Sequence, residues 1–92
     1  MHVGSNSQDQ IKQWHVYLLE CSDGTIYCGI TNDLEVRIAK HNTGTASKYT
    51  RARLPVRLLK SFLTENKSAA LKEEYRIKQL SREEKLKLCR TI

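Results

Sequence analysis

Apolar and polar positions run through two short strand-like stretches and then switch to a helical spacing. Trp14 to Cys21 is rich in aromatic and branched residues and reads as a strand, and Thr25 to Ile30 reads as a second. Ser22-Asp23-Gly24 between them has hairpin chemistry. A type I turn with Gly24 in the left-handed region would close a three-residue loop with a bulge. That loop length sets the register: Cys21 faces Thr25, Leu19 faces Tyr27 and Tyr17 faces Gly29. Both tyrosines then point to one side of the sheet, whereas a two-residue loop would slip the register and separate them. Thr31-Asn32-Asp33 ends the second strand and starts a helix predicted over Asp33 to Asn42, with Asn32 as cap and Glu35 three positions on as its capping-box partner. Thr43-Gly44-Thr45 stops it. Ala46 to Pro55 reads as a loop, and Val56 to Leu63 as a third strand with Pro55 before it. Asn66 or Ser68 caps a second long helix that reaches Gln79 or Leu80. Ser81-Arg82-Glu83-Glu84 is a capping box for a third, short helix carrying Leu86, Leu88 and Cys89. The predicted order is β-β-α-β-α-α.

The helical spacing singles out polar residues beside the apolar stripes. With Leu34 at zero and about 100° per residue, Ile38 falls about 40° to one side, His41 about 20° and Arg37 about 60° to the other. Arg37 and His41 therefore border the buried face, while Glu35 and Lys40 point outward. An arginine there can run its stem along the core and present its fork to a phosphate, or pair with a nearby carboxylate. A histidine near a helix C-terminus can simply be a favourable cap. On the second helix, with Leu71 at zero, Tyr75 falls near about 40°, Glu74 near about −60°, Ala70 near about −100° and Ile77 near about −120°. Glu74 is thus expected on the inward arc, where a carboxylate needs a partner. A hard cation such as Mg²⁺ is one candidate, and Lys78 at i+4 is the other.

Composition narrows the class. The chain has 92 residues, enough for one domain. No apolar run approaches the ~20 residues of a membrane span, and the N-terminal residues lack the apolar core of a signal peptide. Residues 1–13 are polar and read as a flexible tail, with a single domain over 14–92. Cys21, Cys28 and Cys89 form no metal-binding or redox spacing and read as reduced thiols of a cytoplasmic protein. Net charge is +6, and Val36 to Thr64 contains no acidic residue while holding Arg37, Lys40, Lys48, Arg51, Arg53, Arg57 and Lys60. A one-sign stretch of this kind attracts polyanions. Lys48, Tyr49, Arg51 and Arg53 mix an aromatic ring with cations, which suits gripping and stacking on a nucleic-acid strand.

His15-Val16-Tyr17 and Tyr27-Cys28-Gly29 on adjacent strands resemble the two tripeptides that name the GIY-YIG nucleases. The likeness continues through Gly29 to Arg37, His41-Asn42-Thr43-Gly44, Lys48-Tyr49-Thr50-Arg51, Ala70 to Glu74 and Leu80-Ser81-Arg82. It covers the whole domain and is similar to the small stand-alone bacterial members and to the N-terminal nuclease domain of the UvrC excinuclease subunit. The resemblance implies an α+β fold with a three-stranded antiparallel sheet flanked by helices. It implies a metal-dependent endonuclease that hydrolyses phosphodiester bonds of DNA, in structured or single-stranded nucleic acid, with a place in DNA repair. Tyr17, Tyr27, Arg37 and His41 map to its catalytic positions, and Glu74 to its metal-binding carboxylate, for one Mg²⁺ or Mn²⁺. His15 replaces the first motif glycine, and Ile30 and Thr31 stand where some relatives have a lysine. The water-activating base is therefore open: a tyrosinate from Tyr17 or Tyr27, His41, or a metal-bound hydroxide. A non-catalytic nucleic-acid-binding module, or a docking domain of a larger repair assembly, is the alternative. A monomer acting on nucleic acid, away from membranes, is expected.

Overall fold

A computed structural model describes residues 13–90. The tail expected over 1–13 lies outside the described residues except for Gln13, as do Thr91 and Ile92. The elements are β1 (Trp14–Glu20), β2 (Ile26–Thr31), α1 (Leu34–Asn42), α2 (Lys48–Arg51), β3 (Arg57–Thr64), α3 (Lys67–Lys78) and α4 (Arg82–Arg90). The sheet has the order β2-β1-β3, with β1 antiparallel to both neighbours. This is the expected α+β architecture with one addition, the short helix α2 inside the stretch read as a loop.

The hairpin forms as its turn chemistry dictates. Gly24 takes φ 83, its N–H donates to the Cys21 carbonyl at 3.0 Å, and the Cys21 N–H donates to the Thr25 carbonyl at 2.9 Å. Tyr17 consequently pairs with Gly29 and Leu19 with Tyr27. The helix caps differ in one place. Asp33, not Asn32, caps α1, its carboxylate accepting the Val36 N–H at 3.3 Å. The Thr31 hydroxyl takes the Asp33 N–H at 3.0 Å, so the strand end holds the chain extended one residue longer than expected. Asn66 caps α3 as expected, accepting from the Ala69 N–H at 2.8 Å. Ser81 and Glu84 make both bonds of the capping box, at 2.8 and 3.1 Å.

The two faces of the sheet are packed differently. Val16, Leu18, Ile26 and Cys28 meet Ala70 and Ile77 of α3 in an apolar core. Tyr17, Leu19, Cys21 and Val56 form the opposite face with Leu34 and Ile38 of α1. Asn42 ties α1 to the start of β3: its amide oxygen accepts the Val56 N–H at 2.8 Å, and its amide nitrogen donates to the Val56 carbonyl at 3.1 Å. On α3 the sequence reading placed Leu71 and Tyr75 inward, and the structure corrects this. They are 47% and 71% exposed, because the buried direction runs through Ala70 and Ile77, about 110° round the helix from Leu71. Glu74 still sits within about 50° of that direction. All three cysteines are free, and burial pushes the Cys28 thiol up to about 12. Among the described residues no helix is long and apolar enough to cross a membrane.

Candidate active site

The hairpin brings Tyr17 and Tyr27 to the same side of the sheet, with ring centroids 6.4 Å apart. Gly29 makes room for them. A Cβ at Gly29 would lie 2.5 Å from the Tyr17 hydroxyl oxygen and 3.1 Å from Cε2 of Tyr27. The Tyr17 ring therefore crosses β2 at the one strand position without a side chain. Tyr17 is 2% exposed. Burial, then the neighbouring Tyr27, push its phenol above the ordinary value, with Arg37 opposing. Within the fold Tyr17 is thus held toward its neutral phenol form. Tyr27 is half-buried, and no hydrogen bond engages its hydroxyl among the described residues.

His41 lies beneath these rings rather than at the border of the helix stripe. It is 1% exposed. Its Nε2 is 2.8 Å from the Tyr17 hydroxyl, and its Nδ1 is 2.8 Å from Thr50 Oγ1. Burial first, and the Arg37 charge second, lower its pKa, so the ring is neutral. Thr50 is fully buried and packs on Ser47, whose Oγ lies 2.9 Å from Thr50 Oγ1 and accepts the Thr50 N–H at 3.1 Å. Sequence reasoning missed Thr50 and Ser47. The signal was the Ser47-x-x-Thr50 spacing, which caps α2 and carries Thr50 inward under α1.

Arg37 is half-buried, and among the described residues no carboxylate pairs with it. Its charge acts on both Tyr17 and His41. The Glu74 side chain is 19% exposed and holds Lys78 Nζ at 3.2 Å, so the lysine partner foreseen for it is present. Its charge nonetheless reaches across the β2 edge, raising the pKa of Tyr17 and of Cys28. Tyr17, Tyr27 and His41 are in direct contact, while Arg37 and Glu74 are linked to them only through their charges. Among the described residues no group of three His, Cys, Asp or Glu side chains converges to hold a metal. A single, largely buried carboxylate fits a water-rich divalent site of the Mg²⁺ kind, completed by substrate oxygens.

The basic segment divides in two. Lys48 and Arg51 are exposed and line, with Gly44, Thr45, Ala46 and Ser47, an open cleft of about 410 Å³. Tyr49 and Arg53 are instead tied into the fold. The Tyr49 ring stacks on Tyr27 at 5.9 Å, and the Arg53 guanidinium sits 3.8 Å over it. Arg53 also donates to Asp23 Oδ2 and to the Tyr49 carbonyl, both at 2.9 Å. Tyr49 buttresses the site, and Arg53 locks Tyr49 and the hairpin turn together.

Fold and site together define a small α+β domain that packs two phenols and an imidazole together on one face of its sheet. The chain belongs to the GIY-YIG catalytic domain family, whose model matches residues 13–87, and so to a nuclease superfamily. It is 55% identical over 71 residues to a UPF0213 protein of Halobacterium salinarum, covering 77% of this chain and 92% of that one. A UPF0213 protein of Oceanobacillus iheyensis is 54% identical over 79 residues, covering 84% and 90%. Two solution NMR structures share the fold. The UPF0213 protein of Bacillus halodurans has 45% identity and a TM-score of 0.53, covering 83% of this chain and 81% of that one. An E. faecalis protein has 38% identity and a TM-score of 0.57, covering 84% and 83%.

Proposed function

We propose that this protein is a metal-dependent endonuclease that hydrolyses phosphodiester bonds of DNA. One observation carries the reading. Arg37, unpaired with any described carboxylate, and Glu74 both act electrostatically on Tyr17, whose ring lies across Gly29 beside Tyr27. A cation without a carboxylate beside aromatic hydroxyls is matched to an anionic substrate. In this role Arg37 binds the phosphoryl oxygens with its fork and offsets the charge that builds on them. Tyr27, the phenol not engaged within the fold, orients the attacking water through its hydroxyl, and the water's proton passes to solvent. Tyr17 and His41 support it from below. Lys48 and Arg51 grip the strand backbone beside the site. Held by Glu74, a Mg²⁺ or Mn²⁺ ion would supply Lewis-acid polarisation of the scissile phosphate.

The domain is small and carries no second recognition module among the described residues, so sequence preference is weak and binding is steeply salt-dependent. That suits structure-directed processing of flaps, nicks or single strands, as in repair. A non-catalytic binding module is the second reading, and the Glu74–Lys78 ion pair favours it. Cleavage of flap, nicked, single-stranded and RNA substrates with Mg²⁺ or Mn²⁺ decides between them. Metal-dependent product that disappears in Glu74→Gln and Arg37→Ala supports the endonuclease. Binding without product, equal in wild type and Glu74→Gln, supports the module.

A further inference from the structure

Both ring nitrogens of His41 are engaged inside the fold, Nε2 with the Tyr17 hydroxyl and Nδ1 with Thr50 Oγ1, each at 2.8 Å. A neutral imidazole carries one proton, so two arrangements are open. In the first, Nε2–H donates to Tyr17 and Thr50 donates to Nδ1. The Tyr17 proton then needs another acceptor, yet among the described residues the phenol is hydrogen-bonded only to His41. At 2% exposure that proton would be buried unpaired, which is costly. In the second, Tyr17 donates to Nε2 and Nδ1–H donates to Thr50. The Thr50 proton passes to Ser47, whose Oγ is at 2.9 Å and carbonyl at 3.4 Å. Ser47 lines the open cleft beside Lys48 and Arg51, where its own proton meets solvent. Every donor in this chain has an acceptor.

We propose that Thr50, anchored by Ser47, is a positioning residue that accepts the His41 Nδ1–H and, together with the Tyr17 phenol proton donated to Nε2, holds the Nδ1-protonated tautomer. Tyr17 is then held as a donor across Gly29. The tautomer follows from the hydrogen-bond accounting alone. Its consequence for cleavage rests on the endonuclease reading above.

Two measurements on the full chain separate the two claims. Long-range ¹H–¹⁵N correlation across the imidazole of the ¹⁵N-labelled wild type should show His41 with a protonated Nδ1 and an unprotonated Nε2. Thr50→Val should convert it to the Nε2–H form or to a mixture, and Thr50→Ser should restore the wild-type pattern. An Nε2–H tautomer in the wild type overturns the proposal, as does an unchanged His41 pattern in a folded Thr50→Val. The wild-type spectrum decides the matter even where Thr50→Val fails to fold. In cleavage assays Thr50→Val should lower kcat roughly 100-fold, with KM within about threefold and most activity recovered in Thr50→Ser. Normal kcat in Thr50→Val refutes the positioning role. Absence of cleavage in the wild type sinks the endonuclease reading and leaves the tautomer to the NMR result.

Discussion

Replacing Gly29 with alanine tests the geometry on which the site stands. The backbone at Gly29 has none of the positive φ seen at Gly24 and Gly44, so alanine fits its conformation. The obstacle is space. The new Cβ would lie 2.5 Å from the Tyr17 hydroxyl oxygen and 2.7 Å from Cζ, where non-bonded carbon contacts sit at about 3.5–4.0 Å. The ring must retreat by about 1 Å. That takes the 2.8 Å bond to His41 out of hydrogen-bonding range. Overpacking costs about 1–3 kcal/mol, and stranding a buried hydroxyl and imidazole nitrogen costs about 1–3 kcal/mol more. Alanine returns about 0.5–1 kcal/mol through its lower chain entropy. The net loss is about 1–5 kcal/mol, which in a domain this size lowers Tm by roughly 5–40 °C. Urea and thermal melts followed by circular dichroism measure it. Gly44→Ala is the control, since there φ is +79 and the nearest side-chain atom is 3.4 Å away, so only strain of about 1–2 kcal/mol applies. Gly29→Ala within about 0.5 kcal/mol of wild type, with the Tyr17–His41 signature intact, would refute the reasoning.

Three further outcomes follow from the same geometry. Burial and Arg37 hold the folded pKa of His41 below its ordinary value, so the unfolded chain takes up that proton first. Its contribution is complete above about pH 6.5 and is lost as pH falls through the folded value; urea midpoints from pH 7.5 to 5 should drop, and less so in His41→Gln. Glu74 and Lys78 form an i,i+4 pair with side chains 19% and 49% exposed, worth about 0.3–1 kcal/mol. Lys78→Met should therefore tighten Mn²⁺ binding about two- to fivefold by paramagnetic titration, and weaker binding would count against Glu74 as the ligand. Arg53→Ala should cost about 1 kcal/mol of stability and leave the salt slope of DNA binding unchanged. Lys48→Ala and Arg51→Ala should each reduce that slope by about 1 at unchanged stability, and equal slopes in all three variants would contradict the division of the basic segment.

Much of this was legible in the sequence because it rests on local rules. Gly24 set the loop length, the loop length set the register, and the register put Tyr17 beside Gly29 and both tyrosines on one side. What escaped was decided at a distance. The rotation of α3 could not be read from its own sequence, because Leu71 is apolar yet points away from the sheet, which meets Ala70 and Ile77. The pattern cannot say which apolar residue finds the core. Thr50 was invisible for a related reason. A threonine in a basic stretch looks like loop surface until Ser47 caps the short helix and turns it under His41. The Arg53 contact was hidden for a related reason, since its partner, Asp23, comes from a turn 30 positions earlier.

The buried polar chain is itself an argument about what the fold is for. A domain this short has little interior, yet Tyr17, His41 and Thr50 are among its largest fully buried side chains. Each hydrogen bond between them nets only about 1 kcal/mol against water, and apolar residues of the same shape would stabilise the core at least as well. Stability therefore does not account for their presence. The opposite sheet face shows the cheaper solution, since Val16, Leu18, Ala70 and Ile77 form an apolar core there. The polar chain is confined to the face that carries Tyr27 and receives the charges of Arg37 and Glu74. It starts at a phenol on that face and ends at Ser47 in a cleft lined by Lys48 and Arg51. A core that fixes one imidazole tautomer beneath a cationic surface is the arrangement that the proposed chemistry on a phosphate requires and that packing alone does not.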